Sequence, residues 1–145
     1  MRIIGTGSSL PSRVVTNLDL TRFLDTSDEW ISTRTGIRER RVLTTESLGQ
    51  LATQAAKAAL ENAGVTASEI DFILCSTVQG EWVTPALACV VQRDLGATCP
   101  AMDVNGACAG FIYALDLAVS HLKAGQAKEI LILCAEAMSH IVNWT

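Results

Sequence analysis

One cysteine in this sequence stands in a setting that favours a nucleophile. Cys108 lies within residues 103–111 (DVNGACAGF), where a short apolar strand is expected to lead through small residues into a long helix. Unpaired N–H groups and a partial positive charge at a helix N-terminus favour a thiolate over a thiol. Small neighbours leave room for a substrate carbonyl and permit a sharp strand-to-helix turn, as in a nucleophile elbow. The alternative is a buried structural cysteine at a tightly packed crossing.

An arginine-rich segment forms a second candidate site. Four of the eight arginines fall in residues 34–41 (RTGIRERR), although the net charge of the chain is −4. Trp30 lies close by in sequence, and an indole beside guanidinium groups suits a ligand with a planar ring and phosphates, such as a nucleotide diphosphate. The alternative is an ordinary solvated basic surface.

A cysteine nucleophile in acyl transfer usually works with a histidine, and this sequence has two. His121 lies thirteen residues along the predicted helix, roughly 20 Å from Cys108 at the rise of an α-helix, so it cannot serve Cys108 of the same chain. His140 follows a predicted strand and could lie near the carboxyl edge of the sheet, but a loop histidine is more often simply exposed. We therefore expect half of an active site.

The elements that position these residues alternate between strand and helix. The apolar runs predict strands over residues 2–6, 72–75, 101–104 and 130–134. Residues 26–29 (TSDE) fit a capping box. The helices are expected to start at residues 26–29, 48, 84–85 and 108, and to end at Gly36, Gly64, Gly96 and near Gly125. This order predicts a mostly parallel sheet with right-handed crossovers. The helix after Cys108 is apolar nearly all round, so it should be a buried central helix covered by further sequence or a partner chain.

Composition limits the possible classes of protein. The 145 residues fit one domain and are 49% hydrophobic, and the negative charge argues against nucleic acid or an anionic membrane as the main partner. No apolar run approaches the ~20 residues that span a bilayer, and residues 1–5 do not resemble a secretory signal. Five cysteines without a C-x-x-C pair indicate a reducing cytoplasm, with structural roles for Cys75, Cys89, Cys99 and Cys134.

Three motifs carry a resemblance to a known family. They are residues 3–11 (IIGTGSSLP), residues 26–40 (TSDEWISTRTGIRER) and residues 103–111. With them, the chain resembles the N-terminal half of β-ketoacyl-acyl-carrier-protein synthase III, the initiating condensing enzyme of type II fatty-acid synthesis. The resemblance runs in register along all 145 residues.

The resemblance implies an α/β, thiolase-like fold. In that family two similar halves pack as five layers, αβαβα, and the protein is a homodimer. Residues 1–145 would form the N-terminal half, and the C-terminal half is not in this sequence. Its counterpart of the apolar helix would cover the helix that follows Cys108.

The resemblance also implies an acyltransferase chemistry. Cys108 would take an acyl group from acyl-CoA, and malonyl-acyl-carrier protein would then lose CO2 and form a 3-oxoacyl product. The wall that binds coenzyme A would be formed by Thr26, Trp30, Arg34 and Thr35, with Arg38 as a further contact for phosphate or carrier protein. Coenzyme A is a substrate here, and no metal or tightly bound cofactor is implied. The family's histidine and asparagine that stabilise the enolate come from the second half, so we expect no condensation by residues 1–145 alone.

Two positions depart from the family pattern. Asn105-Gly106 stands where two small apolar residues are common, and Thr84 stands where some members have a phenylalanine that shortens the acyl pocket. Thr84 therefore predicts primers longer than acetyl. Two alternatives remain: a related condensing enzyme or acyltransferase of secondary metabolism, and a catalytically incomplete binding half.

Overall fold

The computed structural model describes residues 1–143, which fold into five strands and five helices joined by short 3₁₀ turns. In chain order these are β1 (Arg13–Thr16), α1 (Asn17–Leu20), α2 (Asp28–Thr35), β2 (Glu39–Val42), α3 (Leu48–Ala63), β3 (Phe72–Ser76), α4 (Leu87–Leu95), β4 (Ala101–Val104), α5 (Gly110–Lys123) and β5 (Ile130–Cys134). No helix in this range is long and apolar enough to cross a bilayer.

The chain divides into two compact units. The first unit comprises Met1–Ser9 and Ser47–Ala137, and the second comprises Leu10–Glu46 together with the residues from Met138 onward. Assignment of the whole sequence to one thiolase-like half stays a prediction.

The first unit is built on a three-stranded parallel sheet in the order β4-β3-β5. The central strand β3 pairs Ile73 with Ala101 on one side and with Leu131 on the other. The predicted strands over residues 72–75, 101–104 and 130–134 are therefore confirmed, as is their parallel pairing. The continuous apolar runs of β3 and β5 suit strands that are covered on both faces.

Helices cover the two faces of this sheet. On one face Leu74 is fully buried against Ala114 and Ala118 of α5. On the other face Cys75 lies beside its register partner Asp103, where α4 packs against β3 and β4. The small alanines of α5 let the helix approach the sheet closely.

One side of α5 is not covered within the described residues. Phe111, Ile112 and Tyr113 are all exposed, and 59% of the Ile112 surface is accessible. Within residues 1–143, α5 is therefore buried on one face only, rather than all round as its composition predicts. The exposed apolar side is the one that a further layer would cover.

The second unit contains an antiparallel pair of strands, β1 and β2, with α1 and α2 beside them. The helix predicted to start at residues 26–29 is confirmed as α2, but its N-cap is Ser27, whose hydroxyl accepts from Trp30 N. The capping box predicted for Thr26 and Glu29 is therefore wrong: the N-cap lies one residue later, and Trp30 at the third helical position has no acceptor to complete a box. Gly36 ends α2 in the left-handed conformation, with φ of 74°.

The strand predicted over residues 2–6 is wrong. Residues 1–12 form no strand, and β1 begins only at Arg13. The amide of Thr6 donates to Asn62 Oδ1 of α3, and Ser9 Oγ donates to Gln54 Oε1 of the same helix. Polar side chains of a helix, rather than the backbone of a neighbouring strand, supply the hydrogen-bond partners of this segment.

The predicted start of the fourth helix is also wrong. The Thr84–Pro85 peptide bond is cis, and α4 begins at Leu87 after an N-cap, Ala86, that has no capping side chain. The predicted end at Gly96 is confirmed. The cap of α4 comes instead from β4, as described below.

The crossing of α5 over β3 leads to a test of stability. A Cβ added at Gly110 would collide with Ser76 Oγ and would lie 3.3 Å from Ser76 Cβ. Overpacking of this kind costs about 1–3 kcal/mol, and the higher helix propensity of alanine offsets up to about 1 kcal/mol of that cost. We therefore expect Gly110→Ala to lower the free energy of unfolding by the difference. Thermal and denaturant unfolding measure the change.

The matched control removes the clashing atom. Ser76→Ala in the Gly110→Ala background should restore most of the lost stability, because the remaining contact is only slightly too close. Equal stability of the two Gly110→Ala proteins would contradict this account.

Candidate functional site

Cys108 lies in an exposed 3₁₀ turn between β4 and α5. The turn spans Ala107–Ala109, so Cys108 precedes the first residue of α5 by two positions rather than standing inside its first turn. The side chain is exposed, which contradicts the alternative of a buried structural cysteine. The sulfur is therefore accessible at the carboxyl end of a parallel strand, where ligand sites of α/β sheets are found.

The backbone around Cys108 is held in a demanding geometry. Ala107 has φ of 45°, in the left-handed region that costs a non-glycine residue roughly 1–3 kcal/mol. Ala109 N–H donates to Gly106 O at 3.0 Å, and Gly110 N–H donates to Ala107 O. Neither bond uses the N–H of Cys108. The turn thus resembles a nucleophile elbow in presenting one side chain on a strained backbone.

The structure explains the unusual Asn105-Gly106 pair. A Cβ added at Gly106 would collide with Cδ2 of Tyr113, so the ring of Tyr113 occupies the space of a side chain at 106. Asn105 donates from Nδ2 to the carbonyl of Val78 at 3.2 Å. Both residues therefore serve local packing around the turn.

The loop between β3 and α4 is held at both ends. At its start, Val78 N donates to Glu136 Oε1 at 2.6 Å, and Asn105 binds the carbonyl of Val78. At its end, the two carboxylate oxygens of Asp103 accept from Leu87 N and Ala88 N, each at 2.8 Å. Asp103 thus supplies the missing cap of α4 from the strand that leads to Cys108.

Helix α2 carries the second group of predicted site residues. The guanidinium carbon of Arg34 lies 4.6 Å from the centroid of the Trp30 ring, and Arg34 Nη1 donates to Trp30 O at 3.4 Å. Trp30 remains 54% exposed, so it keeps surface for a planar ligand. This cation–π pair lies in the second unit, whereas Cys108 lies in the first.

Two threonines flank this pair. Thr26 Oγ1 is buried and has no hydrogen-bond partner within residues 1–143. Thr35 Oγ1 donates to Ile31 O at 2.7 Å and accepts from Ile37 N at 3.0 Å. Thr26 therefore has an unsatisfied hydroxyl, whereas the hydroxyl of Thr35 already helps to end α2.

The arginine-rich segment divides into structural and exposed members. Arg40 donates to Val15 O at 3.2 Å and to Asn17 Oδ1 at 2.8 Å, and Arg41 donates to the carbonyls of Pro11 and Ser12. Arg38 is exposed. The segment is thus more than a solvated basic surface, because two of its four arginines bind the protein's own backbone.

The histidines lie in separate surroundings. The ring of His121 is 4.9 Å from that of Phe72, so it packs against the sheet at the far end of α5 from Cys108. His140 belongs to the second unit and lines a cavity of about 620 Å³ together with Arg13 and Arg22. None of the four residues predicted to bind coenzyme A lines that cavity.

The other cysteines have surroundings that disfavour thiolates. Burial, with the Asp103 carboxylate as the next cause, raises the pKa of Cys75, and burial also raises the pKa of Cys99. For Cys134 the sequence predicts a structural role within a buried strand, but the side chain is exposed at the end of β5. Partial burial and the Glu136 carboxylate nevertheless raise its pKa. Among residues 1–143, no cluster of three or more His, Cys, Asp and Glu side chains could hold a metal ion.

Sequence reasoning missed the positioning roles of three polar residues: Asp103, Asn105 and Asn17. Because the sequence places the start of this helix at residues 84–85, it gives no signal that Asp103 supplies the acceptors for α4 instead. Nothing in the sequence marks Asn17, a buried residue whose contacts with α2 are described below.

Comparisons with known proteins agree with the resemblance found in the motifs. The family profile described as 3-oxoacyl-[acyl-carrier-protein (ACP)] synthase III matches residues 102–145. The chain is 49% identical over 144 residues to the β-ketoacyl-[acyl-carrier-protein] synthase III of Aquifex aeolicus, and 49% identical over 146 residues to that of Xanthomonas euvesicatoria. These matches cover 99% of this chain but 47% and 45% of the relatives, so the chain spans about half their length.

Solved structures give the same answer for the fold. The crystal structure of the Aquifex aeolicus synthase III matches with a TM-score of 0.95 at 49% identity, covering 99% of this chain and 47% of that one. The priming β-ketosynthase of the R1128 polyketide pathway matches with a TM-score of 0.93 at 36% identity. This match covers 98% of the present chain and 43% of the ketosynthase. The fold class is therefore α/β and thiolase-like.

Exposure and pKa together predict an order of cysteine alkylation. With iodoacetamide near neutral pH, we expect Cys108 to react before Cys134, because the raised pKa of Cys134 leaves less of the reactive thiolate. Cys75 and Cys99 should react only after unfolding. Peptide mapping by mass spectrometry at timed intervals measures the order.

The pH dependence provides the internal control. Labelling of Cys134 should increase as the pH rises toward its raised pKa, in both the unmodified protein and Cys108→Ser. Faster labelling of Cys134 than of Cys108 at neutral pH would contradict the assignment.

Proposed function

We propose that this chain forms the acyl-accepting part of a priming condensing enzyme. The premise is that the chain is homologous along its whole length to part of β-ketoacyl-[acyl-carrier-protein] synthase III. The observation that carries the proposal is the exposed Cys108 on its strained turn between β4 and α5. The reaction joins an acyl group from acyl-CoA to the two-carbon unit of malonyl-acyl-carrier protein.

The first half-reaction takes place at Cys108. The thiolate attacks the thioester carbonyl, the C–S bond to coenzyme A breaks, and the coenzyme leaves as a thiolate that takes up a proton. The negative oxygen of the tetrahedral intermediate needs hydrogen-bond donors. The Cys108 N–H is proposed for that role, because the recorded hydrogen bonds of the turn are donated by Ala109 and Gly110 instead.

In the second half-reaction malonyl-acyl-carrier protein loses CO2, and the resulting enolate attacks the acyl-cysteine. A C–C bond forms, the C–S bond to Cys108 breaks, and 3-oxoacyl-acyl-carrier protein departs while the thiolate returns. The groups that stabilise the enolate in the family are not among residues 1–145. The absence of condensation by this stretch alone stays a prediction.

Helix α2 is proposed to bind the nucleotide part of coenzyme A. The exposed Trp30 ring suits stacking with adenine, and the Arg34 guanidinium beside it adds positive charge near the phosphates. Thr26, directly before the N-cap of α2, is proposed as a polar contact at the start of the helix. Thr35 and Arg38 are proposed as secondary contacts. A homodimer and a cytoplasmic location are further parts of the proposal.

The relatives also bear on the alternative function. The priming ketosynthase of a polyketide pathway is 36% identical to this chain, against 49% for the Aquifex synthase III. The higher identity favours fatty-acid synthesis over secondary metabolism.

Acylation of Cys108 is the direct test of the proposed function. On mixing the intact natural protein with an acyl-CoA, we expect a mass increase of one acyl group, and peptide mapping should place it on Cys108. Cys108→Ser should abolish the adduct. Cys134→Ser, which removes the other exposed cysteine, should leave it unchanged. A protein that is acylated on neither cysteine would favour a binding half without catalysis.

The length of the acyl primer provides a second test. Thr84 is exposed in the loop before α4, and no large side chain stands at this position to shorten the acyl pocket. We expect four-to-eight-carbon acyl-CoAs to acylate the intact protein faster than acetyl-CoA. Thr84→Phe should move the preference toward acetyl-CoA, whereas Thr84→Ser should not. A preference of the unmodified protein for acetyl-CoA would contradict the proposed primer class.

A further inference from the structure

A single buried amide holds both ends of helix α2. Asn17, at the start of α1, is only 1% exposed. Its Nδ2 donates to Asp28 Oδ1 and to Ile37 O, each at 2.7 Å, and its Oδ1 accepts from Arg40 Nη2 at 2.8 Å. Both amide protons are therefore used, and the carbonyl oxygen has a charged donor.

The partners of Asn17 are placed at the two ends of one helix. Asp28 is the first residue of α2, and Ile37 directly follows Gly36, which ends it. The Asn17 backbone N–H adds a bond to Arg38 O at 3.1 Å. One residue thus fixes where α2 starts and where the chain leaves it.

Apolar packing alone does little to orient this helix. Ile31 is the one residue of α2 that is buried, and the helix has only eight residues. Isolated helices of this length are marginal in water, and tertiary packing normally stabilises them. The hydrogen bonds of Asn17 therefore supply much of the constraint that apolar burial supplies elsewhere in the chain.

We propose that Asn17 is a positioning residue for the nucleotide site, setting the orientation in which α2 presents Trp30 and Arg34 to an adenine nucleotide. The inference rests on the proposed function, because it takes α2 as the helix that binds the nucleotide part of acyl-CoA. Asn17 is buried and has no direct role toward the ligand. Its effect should therefore depend on whether the substrate carries a nucleotide.

Two acyl donors distinguish positioning from mere stability. The experiment measures acylation of Cys108 in the intact natural protein with acyl-CoA and with the acyl thioester of N-acetylcysteamine, which lacks the nucleotide. For Asn17→Asp we expect the half-saturating acyl-CoA concentration to rise roughly tenfold, the effect of losing a hydrogen bond to a charged group. The maximal acylation rate, and the rate constant with the truncated thioester, should stay within about twofold.

The choice of Asn17→Asp follows from the geometry. An aspartate keeps the bond from Arg40 but loses both donated bonds and places a carboxylate against the carboxylate of Asp28. Asp28→Asn added to this variant lets residue 28 donate to residue 17, so part of the affinity for acyl-CoA should return. Asn62→Asp is the matched control, because Asn62 only accepts from Thr6 N and an aspartate can do the same. Asn62→Asp should leave acylation of Cys108 by acyl-CoA and by the truncated thioester unchanged.

Each outcome has a defined meaning. Trp30→Ala, which removes the stacking ring itself, should reproduce the selective loss with acyl-CoA. If Trp30→Ala leaves the half-saturating acyl-CoA concentration unchanged, the proposed role of α2 fails, and the inference fails with it. Suppose instead that Trp30→Ala shows the selective loss, but Asn17→Asp slows acylation by both thioesters equally or by neither. Asn17 is then structural, and only the inference fails.

A milder variant guards against loss of the fold. Should Asn17→Asp not fold, as judged by circular dichroism, Asn17→Ser retains one donor and gives the same test with a smaller expected change of roughly threefold. An unchanged half-saturating acyl-CoA concentration in folded Asn17→Ser would overturn the inference.

Discussion

The close approach of α5 to β3 is the constraint on which the first unit depends. Gly110 stands where the helix begins its passage over Ser76, and Ala114 and Ala118 continue the contact over Leu74. Because the helix lies so near the sheet, the chain must turn sharply between the end of β4 and Gly110. The left-handed Ala107 is the local consequence of that turn, and the exposure of Cys108 is its chemical consequence.

The second unit reaches a defined geometry by other means. Its sheet has two short strands, and α2 buries only one residue. Hydrogen bonds from Asn17 and Arg40 therefore fix the position of α2, as close packing fixes the position of α5 on β3. Hydrogen bonds fix angles well but are individually modest in free energy. The two groups of candidate residues thus depend on different interactions. Burial of apolar side chains positions Cys108, and hydrogen bonds to a buried amide position Trp30 and Arg34.

The sequence predicted those features whose cause is local. Apolar runs identified β3 and β5, and Gly64 and Gly96 marked helix ends, since a left-handed terminus favours glycine. The motif around Cys108 predicted a turn of small residues between strand and helix, although Cys108 lies in that turn and not in the first turn of the helix. In each case the residues that determine the structure are neighbours in the chain.

Features that depend on distant residues could not be predicted. Residues 2–6 look like a strand, but the polar side chains that bind this segment come from α3, more than forty positions later. Thr84-Pro85 looks like a helix start, yet the acceptor that caps α4 is Asp103, on the following strand. Asn17 gives no sequence signal, because its importance arises only when Asp28, Ile37 and Arg40 come together around it.

The strand order β4-β3-β5 also has a consequence for the folding of the chain during synthesis. The central strand β3 is made first, but its neighbour β5 begins more than fifty residues after β3 ends. At about 5–20 residues per second, one edge of an apolar strand remains unpaired for several seconds on the ribosome. Parallel pairings over such separations close slowly. Chaperone binding to the nascent chain should therefore concentrate on residues 72–76 until β5 emerges.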